Sequence, residues 1–269
     1  MSAKILVVGH RNPDNDSISA AVGYAHLKNA LAARDGEAEA VEYVPARLGP
    51  LPVESAWLLE RNNIPEPVLI DSVNPVERDG ETVVQKVILV DHNEVAQAAP
   101  GIENAEVVEI IDHHRIADVT TANPILFLNL PIGSTATIVT LQFRQTGIDL
   151  PGSIAQMLLS AILTDTVIMK SPTCTQVDID QVKFLADKLG LDAVEFGMEI
   201  FRTRGGEDKM PINKLVEADS KEFKVSDDVT VLIAQRETVD LPTVMGREAE
   251  IRGHMRKLVD DNGYEFALL

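Results

Sequence analysis

Three apolar runs rich in β-branched residues are each followed at once by acidic and histidine side chains. The runs are KILVVG, KVILV and VVEII, and the motifs after them begin at His10, Asp91 and Asp112. Such runs are typical of the buried strands of a parallel sheet. Ligands of open α/β sheets bind beyond the carboxyl ends of the strands. We therefore expect the three motifs to converge at one edge of a sheet.

The alternation of strand-like and helical patterns predicts an α/β fold with a doubly wound parallel sheet. Ser17 is the expected N-cap of the first helix, and Gly36 is expected just beyond its end. We predict strands near residues 4–9, 39–44, 67–70, 86–91, 107–112 and 125–129. We predict helices near residues 17–34, 53–62, 133–146, 153–165, 176–189 and 192–202.

A polar segment, TRGGEDKMPI at 203–212, separates this part of the chain from a region of different character. We predict a first domain over 1–204, a linker over 205–212 and a smaller α+β domain over 213–269. The second domain is expected to contain a helix near 213–219, strands near 221–225 and 229–235, a helix near 243–261 and a final strand-like run. Because the sequence stops inside that run, we expect this domain to be incomplete.

The charge of the chain limits its partners. The 269 residues carry a formal net charge of −18 and include no obvious basic run, so we expect no binding to nucleic acid. No apolar stretch approaches the roughly 18 residues of a membrane-spanning helix, and the N-terminus lacks a signal-peptide pattern. The single cysteine, Cys174, cannot form an intrachain disulfide, which favours a reducing compartment. We expect a cytoplasmic protein, without membrane contacts, that attracts divalent cations.

The first motif, HRNPDND, carries His10, Asp14 and Asp16 within seven residues. In an extended loop the two aspartates would point to opposite sides and could serve different ions. Pro13 is expected to keep Asn12 extended. The alternative is a solvated turn, because asparagine, proline and aspartate are all common in turns.

The second and third motifs combine carboxylates with imidazoles. Asp91, at the end of KVILV, is placed to bridge two cations, although it could instead cap a short helix at 93–97. The adjacent His92 is expected to pack rather than to bind metal. Of the pair His113 and His114, one ring could bind a metal while the other contacts phosphate or the attacking water. Asp112 could then hold a ring N–H. The alternative is a surface histidine pair.

Two further segments complete the candidate site. Asp165 ends an apolar helix, where burial is costly unless the carboxylate is paired or binds metal. Lys170, in the following KSPT sequence, is a nearby cation that could bind substrate. Gly133-Ser134-Thr135 opens a helix, either as an ordinary N-cap or as an anion-binding N-terminus.

The ligand types indicate the metal. Histidine and carboxylates without a cysteine cluster fit Mn²⁺, Co²⁺ or Mg²⁺ better than structural zinc, and imidazole favours Mn²⁺ or Co²⁺. A substrate held by two cations would be a phosphate compound. A water that bridges two such ions becomes a hydroxide-like nucleophile near neutral pH.

The ordered set HxNPDxD, VDHNE, DHH, GSTAT, TDT and KSPT resembles the DHH phosphoesterases and, among them, the family II (manganese-dependent) inorganic pyrophosphatases. The resemblance covers about residues 4–204 and continues more weakly through DSKEF. It implies a DHH catalytic domain and a second, DHHA2-like domain, with a site between them that hydrolyses pyrophosphate to two phosphates. It also implies a homodimer and two Mn²⁺ or Co²⁺ ions per site, with Mg²⁺ on the substrate.

The resemblance further implies a role for each residue of the motifs. His114 would contact the electrophilic phosphate or the nucleophile and, with Asp91, would act in catalysis. Arg202, or its rival Arg204, would bind substrate. The family's C-terminal Ser-Arg-Lys motif has no counterpart in this sequence. The metal ligands would be His10 and Asp14 for one ion, Asp16, His113 and Asp165 for the other, and Asp91 between them.

Other interpretations stay open at this point. Some family members insert a pair of CBS domains before VDHNE, and segment 71–86 marks that place, either as an insertion point for a regulatory domain or as a loop with a small hairpin. An insert would imply regulation by adenine nucleotides. The alternative activities are those of an exopolyphosphatase or an oligonucleotide exonuclease. A non-catalytic regulatory protein that binds metal and phosphate is the alternative outside enzymes.

Overall fold

The computed structural model describes residues 3–78, 80–204, 210–218, 220–226, 229–236, 238 and 240–269. The chain divides into two compact units, Met1–Ile200 and Phe201–Leu269. Residues 205–209 of the predicted linker lie outside the described residues. Within the described ranges, none of the helices combines the length and the apolar character needed to cross a bilayer.

The first unit is built on a six-stranded parallel sheet, which confirms the predicted α/β class. The strand order is β3-β2-β1-β6-β7-β8. A separate antiparallel hairpin lies within segment 71–86, and its strands are exposed. The strands are β1 (Ala3–Arg11), β2 (Val41–Leu48), β3 (Val68–Leu69), β4 (Val76–Arg78), β5 (Glu81–Val83), β6 (Lys86–Val90), β7 (Glu106–Asp112) and β8 (Leu126–Asn129).

Six helices cover the sheet or extend from this unit. The first of them is buried along its N-terminal half and packs against the third and fourth. Gly23 permits this packing, because a Cβ atom there would lie 2.8 Å from Leu158 Cδ2. The helices are α1 (Asn15–Arg34), α2 (Val53–Arg61), α3 (Thr135–Thr146), α4 (Gly152–Asp165), α5 (Gln176–Leu189) and α6 (Ala193–Thr203).

Two local predictions at the start of α1 are wrong. Asp14, not Ser17, is the N-cap: its backbone is extended and its side chain accepts a 2.9 Å hydrogen bond from the Ser17 amide. Asn12 has a φ of +53° and is therefore left-handed rather than extended, a conformation that asparagine tolerates better than most residues. Gly36 lies just beyond the helix with a φ of +80°, as predicted.

The centre of the sheet determines where the motifs meet. Strand β1 pairs with β6, and β6 pairs with β7, all in parallel. Residues Val87 to Val90 of β6 are fully buried, as the continuous apolar run predicts. The segments that leave β1, β6 and β7 therefore emerge side by side at one edge.

The second unit has α+β structure, as predicted. Its three-stranded sheet has the order β11-β10-β9, with β10 antiparallel to β9 and parallel to β11. The single helix predicted near 243–261 is instead two helices, because Pro242 and Gly246 confine the first to five residues. The elements are α7 (Ile212–Glu217), β9 (Ser220–Lys224), β10 (Thr230–Ala234), α8 (Leu241–Met245), α9 (Glu248–Asn262) and β11 (Ala267–Leu268).

Candidate metal centre

The six predicted metal ligands come together at the carboxyl ends of β1, β6 and β7 and at the end of α4. They form two groups, and within each group the potential ligand atoms lie within 4.8 Å of one another. A third group of the same kind links Asp91 to His113 and His114. Asp91 therefore lies between the other two groups, which are His10, Asp14 and Asp91, and Asp16, His113 and Asp165.

Asp91 is the buried centre of this cluster, with 1% of its surface exposed. One carboxylate oxygen, Oδ2, lies 3.4 Å from His10 Nε2, and the other, Oδ1, lies 3.4 Å from His113 Nε2. Oδ1 also accepts a 2.9 Å hydrogen bond from the Thr135 hydroxyl, whereas Oδ2 has no hydrogen-bond donor among the described residues. A buried carboxylate oxygen without a donor is costly. Such an oxygen fits a metal ligand, and this donor set fits a pair of divalent cations.

Backbone carbonyls orient the two imidazoles that face Asp91. His10 Nδ1 lies 2.8 Å from the Arg11 carbonyl, and His113 Nδ1 lies 2.9 Å from the Ile132 carbonyl. Because a carbonyl can only accept, each Nδ1 carries a proton, and each Nε2 is the ring atom that faces the cluster. Metal-binding histidines usually have this arrangement.

The N-terminus of α3 is occupied by a carboxylate of the protein itself. Asp16 accepts hydrogen bonds from the Ser134 hydroxyl at 2.9 Å and from the backbone amides of Thr135 and Ala136 at 2.6 and 2.9 Å. Ser134 is the N-cap, as predicted. The anion-binding option for this helix is therefore taken by Asp16, and α3 orients both Asp16 and Asp91.

The pKa values describe a strongly negative field. Burial and the nearby Asp91 raise the pKa of Asp16 to about 7, and burial with Asp16 raises the pKa of Asp165 well above its usual value. Burial opposes the charged form of His10, but the neighbouring carboxylates of Asp14 and Asp91 raise its pKa to about 11. Without a cation, the raised pKa values keep protons on these side chains. A bound dication would supply the positive charge that those protons provide.

Asp112 and His92 contribute support rather than ligand atoms. Asp112 Oδ1 accepts hydrogen bonds from the His113 and His114 amides and, at 2.9 Å, from His114 Nδ1. The ring N–H that donates to Asp112 is therefore that of His114, and His114 Nε2 is left available to contact a ligand. His92 is buried and bonds through Nδ1 to the Val90 carbonyl at 2.9 Å, in agreement with the expected packing role.

The three predicted substrate-binding cations lie outside these groups. Lys170 is exposed on the turn that follows α4. Arg202 is exposed in the last turn of α6, and Arg204 is exposed just beyond it with its guanidinium 4.6 Å from the centre of the Phe201 ring.

Three consecutive left-handed residues follow Asp165. Val167, Ile168 and Met169 have φ values of 48°, 52° and 62°. β-branched residues rarely adopt this conformation, and such strain persists only where surrounding contacts impose it. The Thr166 carbonyl supplies such contacts, because it accepts hydrogen bonds from the Lys170 and Ser171 amides, each at 2.8 Å.

Sequence reasoning missed one buried carboxylate, Asp178 of α5. Its Oδ2 accepts hydrogen bonds from the Gly133 amide at 2.9 Å and from the Thr175 amide at 2.8 Å, and its Oδ1 accepts one from the Thr137 hydroxyl at 2.7 Å. A Cβ atom at Gly133 would lie 2.7 Å from Thr166 Cγ2, so only glycine fits here. The available signal was the capping-box spacing of Thr175 and Asp178.

The fold and the cluster together define the class of protein. A doubly wound domain that presents two histidine and carboxylate groups, joined by one aspartate, has the arrangement of a two-cation site. Residues 4–162 match the family model described as the DHH family, N-terminal domain. The chain belongs to the DHH family and, within it, to the manganese-dependent inorganic pyrophosphatases.

Curated relatives support the assignment to the manganese-dependent inorganic pyrophosphatases. The chain is 40% identical over 255 residues to the probable manganese-dependent inorganic pyrophosphatase of Exiguobacterium sp., a match that covers 95% of this chain and 77% of the relative. It is 38% identical over 266 residues to the manganese-dependent inorganic pyrophosphatase of Bacillus subtilis, covering 99% of this chain and 81% of the relative.

One solved structure agrees with this assignment, and a second shares the fold. A crystal structure from Methanococcus jannaschii, described as a family II inorganic pyrophosphatase, superposes with a TM-score of 0.68 at 33% identity and covers 98% of this chain and 82% of that one. An exopolyphosphatase-related protein from Bacteroides fragilis has a TM-score of 0.53 at 18% identity, with 86% and 65% coverage. The second likeness shows a shared fold alone.

Proposed function

We propose that this protein hydrolyses inorganic pyrophosphate to two phosphates with Mn²⁺ as its cofactor. The observation that carries the proposal is the position of Asp91, whose two oxygens face imidazoles from two separate motifs while one oxygen has no donor among the described residues. The activity named for the Exiguobacterium and Bacillus relatives supports the same function.

The proposed ligand assignment follows the two groups of side chains. Asp91 would be a ligand of both ions, because it belongs to a group of potential ligands on each side. Two bound Mn²⁺ ions would neutralise phosphate charge and lower the pKa of a coordinated water. We assign His10 and Asp14 to one ion and Asp16, His113 and Asp165 to the other.

The remaining residues of the motifs would orient substrate. The hydrogen bond from His114 Nδ1 to Asp112 fixes the ring, and Nε2 is then the atom that contacts the phosphate or the nucleophile. Burial opposes charge on Asp112, but its bonds to His114 and Asn93 hold the pKa of Asp112 below its usual value. Asp112 therefore stays an acceptor and keeps His114 Nδ1 protonated. Lys170, Arg202 and Arg204 are further substrate-binding candidates, each as an exposed cation.

Several finer features belong to the same proposal. Co²⁺ would fit the same ligands, and Mg²⁺ would accompany the substrate. We propose a homodimer that acts in the cytoplasm. The open edge of the main sheet at β8, where Leu126 and Phe127 are 49% and 41% exposed, is a suitable pairing surface. The hairpin within 71–86 is the proposed insertion point of a regulatory domain, which would bring adenine nucleotides as effectors.

Phosphate release tests the proposal. Mn²⁺-loaded protein should release two phosphates per pyrophosphate, and Asp91→Asn should abolish release because an amide is a poor bridging ligand. Asp149→Asn is the matched control, since that side chain is 91% exposed. Polyphosphate and a short oligonucleotide should be poor substrates. Turnover of either in preference to pyrophosphate would favour the alternative phosphoesterases, and Mn²⁺ binding without turnover would favour a non-catalytic protein.

A further inference from the structure

A small cavity adjoins the metal centre on the side of the DHH motif. Its volume is about 130 Å³, and His10 and Asp91 form one part of its wall while His114 and Arg115 form another. Pockets for drug-sized molecules usually measure about 300–1,000 Å³. This cavity is therefore suited to a group the size of a phosphate rather than to a nucleotide.

The backbone that carries Arg115 is held on both sides. Asn93 donates from Nδ2 to the Arg115 carbonyl at 2.9 Å and also to the Asp112 carboxylate, and its Oδ1 accepts from the Ala117 amide. The side chain of Asn93 thus connects the VDHNE and DHH motifs through hydrogen bonds. A fixed backbone reduces the entropy that is lost when a side chain binds a ligand.

The Arg115 guanidinium itself has no hydrogen bond or ion pair within the described ranges of the chain. Other arginines of this unit are held: Arg61 pairs with Glu199 at 2.7 Å, and Arg144 donates to Gln181 at 2.7 Å. Arg115 also stays unpaired although the carboxylate of Glu94 lines the same cavity. An unpartnered guanidinium beside a cation site is available to bind an anionic ligand.

We propose that Arg115 binds a terminal phosphate of pyrophosphate in this cavity. The inference rests on the proposed function and adds a substrate contact to it. A planar guanidinium can donate two parallel hydrogen bonds to phosphate oxygens, which a lysine cannot reproduce. Arg115 comes directly after the last histidine of the DHH motif, so the same loop would orient the phosphate through His114 and hold it through Arg115.

Binding of imidodiphosphate, a non-hydrolysable analogue, tests the contact without requiring turnover. With Mn²⁺ present, Arg115→Ala should weaken analogue binding at least tenfold and raise KM for pyrophosphate by a similar factor. Arg115→Lys should bind the analogue more tightly than Arg115→Ala and more weakly than the wild type. Mn²⁺ affinity and the melting temperature should stay unchanged in both variants, because Arg115 is exposed and contacts no proposed ligand atom directly.

Arg34→Ala is the matched control. It removes one positive charge from an exposed arginine at the far end of α1, roughly 30 Å along a helix of 20 residues. It should bind the analogue as the wild type does. Analogue binding within twofold of wild type in Arg115→Ala would overturn the proposal, as would an equal loss in Arg34→Ala. If the wild type binds imidodiphosphate but hydrolyses nothing, the proposed function fails, while the binding comparison still decides the role of Arg115.

Discussion

The carboxylate of Asp178 accepts a 2.9 Å hydrogen bond from the amide of Gly133, a residue 45 positions away in the chain. Gly133 precedes the N-terminus of α3, where the Thr135 amide and hydroxyl bind Asp16 and Asp91 respectively. Asp178 therefore fixes the segment that orients two carboxylates of the metal centre, although it belongs to neither group of proposed ligands.

Replacement of Asp178 by alanine should weaken both the fold and the metal site. The Gly133 amide and the Thr137 hydroxyl would lose their buried acceptor, which should lower the free energy of unfolding by about 2–4 kcal/mol. Mn²⁺ affinity should fall roughly tenfold or more, as for other residues that orient metal ligands. Urea denaturation and calorimetric Mn²⁺ titration measure the two effects. Asp178→Asn, which keeps an acceptor for Gly133 and a donor for Thr137, should be much milder; equal losses in both variants would refute this role.

Mn²⁺ binding should release protons and should strengthen as pH rises. Asp16 has a pKa of about 7, so below pH 7 the cation must displace its proton, and above pH 7 the carboxylate is already charged. His10, with a pKa of about 11, and His113, with a pKa of about 10, both raised chiefly by their carboxylate partners against the effect of burial, remain protonated near pH 7 and must also give up a proton. Affinity should therefore rise at least a hundredfold per pH unit near neutrality, because the two imidazoles alone give up two protons.

Calorimetry in buffers of different ionisation enthalpy counts these protons. His10→Gln should release one proton fewer than the wild type at the same pH. Binding without proton release at pH 7 would contradict the expected protonation of the cation-free site.

The metal should also stabilise the unit Met1–Ile200 against heat. At one hundred times its dissociation constant, each bound Mn²⁺ ion adds about 2.7 kcal/mol to the free energy of unfolding, which corresponds to a rise of roughly 5–10 °C in melting temperature per ion. Differential scanning calorimetry with Mn²⁺ and with a chelator measures the difference. Asp91→Asn should show little rise; an equal rise in that variant would place the stabilising ion elsewhere.

The open edge of the main sheet gives a test of the proposed homodimer. Phe127→Lys places a charge on the exposed edge strand β8 and should convert a dimer into a monomer, because charged side chains block strand pairing at an edge. Val68→Lys is the matched control on β3, the opposite edge, where Val68 is 50% exposed. Light scattering after gel filtration distinguishes the outcomes, and a dimer that survives only Phe127→Lys would assign the interface to the other edge.

The sequence predicted those features that depend on local pattern. The apolar runs before His10, Asp91 and Asp112 identify buried parallel strands, and the rule that ligands bind at strand ends then brings the motifs together. The positions of the six helices α1 to α6 followed from helical patterns in the sequence. The order of strands in the sheet did not follow, because pairing of β1 with β6 depends on contacts between segments far apart in the chain.

Features set by tertiary contacts escaped prediction. Asn12 and Asp91 adopt positive φ values that depend on how the loops cross the sheet edge. Asp14 and Ser17 are both good N-cap residues, and only the extended backbone at Asp14 decides between them. Asp178 reads locally as half of a capping box, whereas its bonds to Gly133 and Thr137 require α3 and α5 to be packed together.

The hydrogen bonds of Asp16 have a consequence for how the protein folds and acquires its metal after synthesis. Asp16 is bonded to the Thr135 amide across 119 residues of sequence, and Thr135 is bonded to Asp91 across 44. Contacts that span so much of the chain require a large loop to close and slow folding. With the proposed ligands, a growing polypeptide would retain Mn²⁺ only after Asp165 has left the ribosome and the central strands have paired. We therefore expect the ion to be captured after the fold has formed, so that manganese shortage would leave a folded apoprotein that can still be loaded.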